Sequence, residues 1–479
     1  MKINKFYILC LFVTIFLLSS CSNKTEWVST TEKASWQNEK SLHIVDSKTT
    51  PDTEIFPDST LQTIDGFGAC FNELGWTSLM ELGENDRQGI FNELFSPGVG
   101  AGFNICRMPL GANDFSRDWY SYDETEGDFE MKNFSISHDL ETLVPFIKEA
   151  QKYYPGLKIW ASPWSPPSWM KYNKHYACHM IWPGVDAKYD NHLPVDKQGR
   201  EGANSFIQDS VYFKAYALYF SKFVESYKSQ GITVSMIMPQ NEFNSCQPFP
   251  SCIWTSASLA SFVGKYLGPA MTKQNIDIMF GTVERPAEAL VDTLLNDPIA
   301  GKYIKGVGFQ WAGKGAIAGI HKKYPDLKLY QSEQECGDGK NDWKYCNYTW
   351  TLIKHYLNSG ANTYMYWNLS LLNGGVSRWG WTQNSLITVD AAKKTFQYNH
   401  EYYLLKHLSH YVQPGAKLLR ITGRFKNLLA FRNPDQSIIL VVQNDSPKDV
   451  STTFKIGEKS ISADLKGGSF NTILLNKGF

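Results

Sequence analysis

The chain carries no surplus of charge of either sign: 47 Lys plus Arg stand against 47 Asp plus Glu in 479 residues. With no net positive field to attract a polyanion, nucleic acid is not an expected partner. Charged residues amount to 20% against 43% hydrophobic ones, which excludes a disordered chain and provides for a sizeable core. Low-complexity tracts are lacking, and beyond the first residues no stretch is long and charge-free enough for a membrane span of about 20 residues. Metal chemistry also lacks its signature. His175 and His179 flank Cys178, but no second ligand pair follows at zinc-finger spacing, so the segment reads as a plain loop, and neither metal nor cofactor is expected. Gly98, Gly100 and Gly102 form a glycine run that precedes a strand instead of joining strand to helix, which makes it a turn and not a phosphate cradle. The one unusual abundance is aromatic: 15 Trp, 25 Tyr and 28 Phe make up 14% of the chain, more than a core of this size needs. Some of these rings are expected to line a surface that stacks on sugar rings or other flat apolar faces.

The N-terminus reads as an address. Lys2 and Lys5 form a short positive region, residues 6–18 are an apolar run, and Leu18-Ser19-Ser20-Cys21 sets small residues before a cysteine, the order of an export signal. It resembles a bacterial lipoprotein signal. That implies cleavage before Cys21, lipidation of its thiol, and a chain exported and held by acyl chains to a bacterial membrane, at the outer membrane or cell surface. Removing residues 1–20 takes away two lysines and no acids, so 45 basic residues face 47 acidic ones and the mature charge is about −2. Of nine cysteines, seven remain once Cys10 and Cys21 are set aside, an odd number that leaves at least one thiol unpaired. Cys246 and Cys252 lie in a Pro-rich stretch where a disulfide could staple a loop; pairing and free thiols are equally compatible with the spacing.

Short β-rich runs alternate with longer amphipathic ones from about residue 61 to 410, the pattern of a parallel sheet. Strands are expected at 64–71, 103–109, 157–161, 233–238, 276–281, 304–309, 327–331 and 362–368, with helices at 139–153, 210–230, 256–274 and 342–358. Eight βα units are the number of a (β/α)8 TIM barrel. From 411 to 479 the runs become short and purely β-rich. Such a unit is small for a stable sandwich, so strand-like 41–46 and 54–56, within an otherwise linker-like 21–60, are expected to complete a β-sandwich built from both chain ends.

In a TIM barrel the polar groups just past the strands form the active site. The fourth strand runs into Gln240-Asn241-Glu242 and the seventh into Gln331-Ser332-Glu333-Gln334-Glu335. Two carboxylates from different strands, 91 residues apart in sequence, supply what glycoside hydrolysis needs, one to protonate the leaving oxygen and one to attack the anomeric carbon. Metal binding needs more ligands. Glu333 and Glu335 face the same side if both lie on the strand, and spacing does not choose between them.

At motif level, residues 60–415 resemble glycoside hydrolase family 30, on its glucosylceramidase and endo-β-1,6-glucanase side. The resemblance is carried by Gly66-Phe67-Gly68, Arg107-Met108-Pro109, Asp114-Phe115-Ser116, the run from Ala161-Ser162-Pro163-Trp164-Ser165-Pro166-Pro167 to Lys171, Gln240-Asn241-Glu242, Ser332-Glu333 and Trp367-Asn368-Leu369, in that order. It implies a retaining β-glycosidase with Glu242 as acid/base and Glu333, rather than Glu335, as nucleophile. Asn241 would bond the sugar 2-hydroxyl, Asp114 would accept from other hydroxyls, and Trp164, Trp311 and Trp367 would shape the subsite. Arg107 would keep the nucleophile ionised. Two departures bear on substrate choice: Phe243 stands where the family has proline, and residues 373–381 do not align cleanly with the family's sugar-binding loop. An insertion at 172–202 carrying His175, His179 and Trp182 lies on the mouth side. The expected activity is endo-β-1,6-glucan hydrolysis by a monomer that meets the membrane only through its anchor. The alternatives are an exo-acting β-glucosidase of glucosylceramidase type, a β-fucosidase or a β-xylosidase, and, in another class, a non-catalytic carbohydrate-binding lipoprotein.

Overall fold

Eight of the β-rich runs pair in parallel and close on themselves in the computed structural model, which describes residues 25–40, 42–46 and 50–478. The expected leader and Cys21 lie outside the described residues. The barrel strands are β1 (Gly66–Cys70), β2 (Ile105–Pro109), β3 (Lys158–Ser162), β4 (Val234–Ile237), β5 (Asp277–Val283), β6 (Ile304–Gln310), β7 (Lys328–Glu333) and β8 (Thr363–Asn368). They follow one another around the barrel in chain order, and helices such as Leu143–Tyr153, Ser210–Ser229 and Trp343–Asn358 cover them. Asp209 caps the second of these by accepting from Val211 N, and Asp342 caps the third by accepting from Tyr345 N. Gly360, expected just past the third, takes a φ of +99° that a side chain would resist.

The barrel interior is filled, so nothing passes through it. Ile105, Trp160, Met236, Met238, Met279, Tyr330 and Met365 form a cluster of their own inside the strands. Methionine is flexible enough to fill such a tapering space. Gly308 on β6 makes room for it, since a Cβ there would come to 2.5 Å of Met238 Sδ. The floor of the site is therefore packed side chain.

The expected helix 256–274 is interrupted. Regular helix runs over Ser256–Phe262 and Gly268–Lys273, with a π-turn at Val263–Leu267 between them. Pro269 has no N–H to donate one turn back and its ring would crowd that carbonyl, so the turn before it widens.

Ten strands make the second unit, and both chain ends enter it. Glu26–Thr31, in a stretch expected to be linker-like, pairs antiparallel with Ser469–Leu475, and Thr53–Thr63 lies between Lys417–Gly423 and Val450–Ile456. Lys459–Leu465 is a further strand outside the expected set. In the middle of the sheet Leu428, Ala430, Leu440 and Val442 point into the sandwich, while Leu429, Phe431, Ile439 and Val441 belong to the barrel's core. Burial on both faces explains why these strands read as unbroken apolar runs instead of alternating. His407, on helix His400–Ser409, sits in this joint with its ring nitrogens 2.9 Å from Thr30 Oγ1 and Thr472 Oγ1, tying the first strand to the last. Burial pushes its pKa down to about 3, so the ring is neutral.

All seven cysteines among the described residues are free thiols. The possible Cys246–Cys252 disulfide is not formed: Cys246 turns its thiol to the Cys178 carbonyl at 3.0 Å, and Cys252 is buried elsewhere in the loop.

Candidate active site

Six of the eight barrel residues singled out from the sequence, Asp114, Trp164, Asn241, Glu242, Trp311 and Glu333, line one cavity of about 320 Å³ at the C-terminal mouth of the barrel. The other two stand directly behind its wall. Arg107 is fully buried beneath the floor, and Trp367 is stacked behind Trp164 with ring centroids 5.4 Å apart.

Glu333 is the last residue of β7. Arg107 Nη1 donates to its Oε2 at 2.7 Å, Gln310 Nε2 to the same oxygen at 3.1 Å, and Trp311 Nε1 to its Oε1 at 3.1 Å. Because the strand ends there, the two-residue alternation does not carry on to Glu335. That side chain leaves the cavity for Lys314 (2.7 Å) and Tyr348 (2.8 Å).

Glu242 follows β4 in a left-handed backbone conformation, φ +44°, and Trp311 takes φ +46°. Side chains rarely adopt this region, and a residue held there is held by its surroundings. For Glu242 the surroundings are specific: its N–H donates to Thr282 Oγ1 at 2.8 Å, and Asn241 N–H donates to the Pro163 carbonyl at 2.7 Å. Phe243, the residue replacing proline, packs into the core against Phe280 (5.0 Å) and takes no part in the cavity.

The two glutamates live in different fields. Burial pushes the Glu242 carboxyl well above the usual range, and the negative charges of Glu284, Glu333 and Asp114 push it further. Burial also raises Glu333, but the Arg107 guanidinium and the donors from Trp311 and Gln310 oppose that rise, so it stays above its ordinary value by less than Glu242 does. Such a split suits Glu242 to hold a proton and Glu333 to remain charged. Arg107 is itself sandwiched, its guanidinium 4.4 Å from the Trp164 ring centroid and 5.0 and 5.3 Å from those of Trp160 and Trp367.

Gln310, at the end of β6, went unread in the sequence although it is the first polar residue past the expected strand. Its Nε2 lies 3.2 Å from Glu242 Oε1 and 3.1 Å from Glu333 Oε2. One amide thus touches an oxygen of each carboxyl and links the pair across the cavity.

Asn241 Oδ1 accepts from Arg107 Nη2 (2.8 Å), Thr282 Oγ1 (3.0 Å) and Gln310 Nε2 (3.2 Å). With its oxygen fully engaged, the amide presents Nδ2–H to the cavity, a donor for a sugar 2-oxygen. Asp114 lines the cavity with its Oδ1 buried and making no hydrogen bond, while the Trp367 indole N–H is turned toward the same carboxyl. A buried acceptor without a partner at a cavity wall is ready for a polar ligand, here a ring hydroxyl. His175 stacks on Tyr176 (4.3 Å) and His179 bonds the Met180 carbonyl. No cluster of metal-ligating side chains occurs among the described residues.

A TIM barrel whose mouth holds two facing carboxyl groups, one cationically stabilised and one not, is that of a glycoside hydrolase. The chain belongs to glycosyl hydrolase family 30. The family's TIM-barrel domain matches residues 64–192 and 195–412, and its β-sandwich domain matches 423–473. Among curated relatives, "Putative glucosylceramidase 1" of Caenorhabditis elegans is 29% identical over 414 residues, 80% of this chain and 74% of the relative. "Endo-1,6-beta-D-glucanase neg1" of Aspergillus fumigatus is 27% identical over 430 residues, 83% of this chain and 82% of the relative. The solved structure of "the endo-beta1,6-glucanase BT3312" has the same fold, with a TM-score of 0.79, 24% identity, and 95% of this chain and 99% of that one covered.

Proposed function

We propose that the enzyme hydrolyses β-1,6-linked glucan as an endo-acting glucanase, with Glu333 attacking the anomeric carbon and Glu242 protonating the departing oxygen. In the second half of the reaction Glu242 takes a proton from water as that water displaces the sugar from Glu333. The observation that carries the choice of substrate is the cavity wall. It is lined by indole, phenyl, amide, hydroxyl and carboxyl groups and contains no Leu, Ile, Val or Met side chain among the described residues. Such a wall suits hydroxylated rings on both sides of the cleaved bond, whose C–H faces cover indoles while their hydroxyls meet amides and carboxyls. The Aspergillus relative, named as an endo-1,6-β-D-glucanase, supports the same reading.

Incubation with linear β-1,6-glucan is expected to release a ladder of short oligosaccharides, seen by chromatography of the products. Hydrolysis of an aryl β-glucoside with the glucan untouched would instead establish the exo-acting reading.

We further propose that the mature protein is an exported monomer anchored through lipid on Cys21, which rests on the order of charge, apolar run and small residues before that cysteine. Labelled palmitate is expected to enter the protein in bacterial cells and to be lost in Cys21→Ser. Label retained in that variant would refute the anchor.

A further inference from the structure

The leaving group must lie on the side of the cavity from which Glu242 delivers its proton, and that side is walled differently from the sugar-binding floor. Three aromatic side chains from three separate segments meet there. Trp381 from the loop after β8 lies 4.8 Å from Phe249 and 5.8 Å from Trp182 between ring centroids. Trp182 is contributed by the mouth-side insertion and stays 39% exposed despite these contacts. Gln247 stands beside them. Its Nε2 donates to Glu242 Oε2 at 3.0 Å and to Ser245 Oγ at 2.7 Å, which fixes the amide and leaves its Oε1 buried without a partner.

The insertion is stitched firmly to the acid/base loop. The N–H groups of Cys178 and His179 both donate to the Gln247 carbonyl, at 3.0 and 2.9 Å. Arg285 pairs with Glu201 of the insertion and with Glu284 at the cavity wall. Trp182 is thus a placed ring with an open face, next to a hydrogen-bond acceptor that nothing in the protein satisfies. A pyranose ring matches this combination: its C–H face covers an indole and its hydroxyls seek acceptors.

We propose that this wall is a leaving-group subsite for a hexopyranose, and that Trp182, brought by the insertion, makes the enzyme prefer a sugar over other leaving groups. The proposal rests on the retaining glucanase reading. In the forward direction the bond to Glu333 forms as the glycosidic bond breaks, and the departing sugar carries away the Glu242 proton. The same subsite then lets a second sugar hydroxyl, in place of water, attack the ester and return its proton to Glu242, so glycosyl transfer to added sugar follows from the same geometry.

The test compares Trp182→Ala with wild type on a β-1,6-linked glucose disaccharide and on β-glucosyl fluoride, whose leaving group has no ring to bind. The disaccharide kcat/KM is expected to fall by about tenfold or more, the worth of one good aromatic contact, with the fluoride changed less than about threefold. Trp182→Phe is expected to recover most of the loss, and transfer to added glucose to fall in parallel with the disaccharide rate. Equal losses on both substrates, or no loss on either, would overturn the subsite. Wild-type turnover of the fluoride with the disaccharide untouched would also overturn it, whereas wild-type silence on both would remove the glycosidase reading itself and the subsite with it.

Discussion

Glu333→Ala is expected to lower the turnover of a β-glucoside by about 10⁴-fold or more, with the fold intact, because no other group is placed to form the bond to the anomeric carbon. Glu335, two residues on, is engaged with Lys314 and Tyr348, so Glu335→Gln is expected to remain near wild-type rate. The alanine also opens a space on the face from which Glu333 attacks. Azide admitted there should restore turnover and yield the α-glycosyl azide by a single inversion; restored product of β configuration would assign the nucleophile elsewhere. The pH profile tests the same charge. Glu333 works ionised, so activity is lost as pH falls through its pKa, and Arg107 opposes the rise that burial causes. Arg107→Met removes that opposition, and the acid limb is expected to move up by about 1 pH unit or more. An unmoved limb would show that Arg107 acts on the packing of the three indoles around it and not on the charge.

The barrel was legible because its strands are self-declaring. Each is a short apolar run buried among helices, and their ends shift by no more than two residues from the expected ones. The strand Glu26–Thr31 was not, since its Glu, Ser and Thr residues become a strand only through Ser469–Leu475 at the far end of the chain. Lys459–Leu465 did carry a signal, Ile461, Ala463 and Leu465 alternating with polar residues.

The site divides in the same way. Glu242 and Glu333 follow from the rule that polar groups past the strands face the mouth, whereas Arg107, inside its strand, and the preference for Glu333 over Glu335 were implied only by the resemblance to the family. Gln310 obeys that rule as it stands, just past its expected strand, and Glu284 needed only a strand end placed two residues later, at Val283. Trp182 was placed on the mouth side with its insertion, but Gln247, Phe249 and Trp381 obey no such rule. They reach the cavity from loops whose course is set by contacts between loops, and a single sequence does not record those contacts.

Glu242→Gln is expected to show a loss that depends on the leaving group, and this dependence is what separates an acid/base from a merely structural carboxylate. Glutamine keeps the volume and its one oxygen can still accept from either Gln310 or Gln247, both now within 3.2 Å of the carboxyl, but it has no proton to deliver. A sugar leaving group must be protonated as it departs, so turnover of a β-1,6-glucan should fall by about 10²–10⁴-fold. β-Glucosyl fluoride leaves without that help, and its first step should be nearly untouched; the glycosyl-enzyme then accumulates because water has no base to activate it. Azide needs no base and is expected to release the accumulated sugar as the β-glycosyl azide, opposite in configuration to the product of Glu333→Ala. In the wild type the same proton sets the alkaline limb. Burial and the charges of Glu284, Glu333 and Asp114 hold Glu242 well above the ordinary carboxyl range, so activity should persist toward neutral pH and fall only as pH rises through that raised value. Glu284→Gln removes the largest of those charges and should bring the alkaline limb down to lower pH without changing the rate at the optimum more than a few fold.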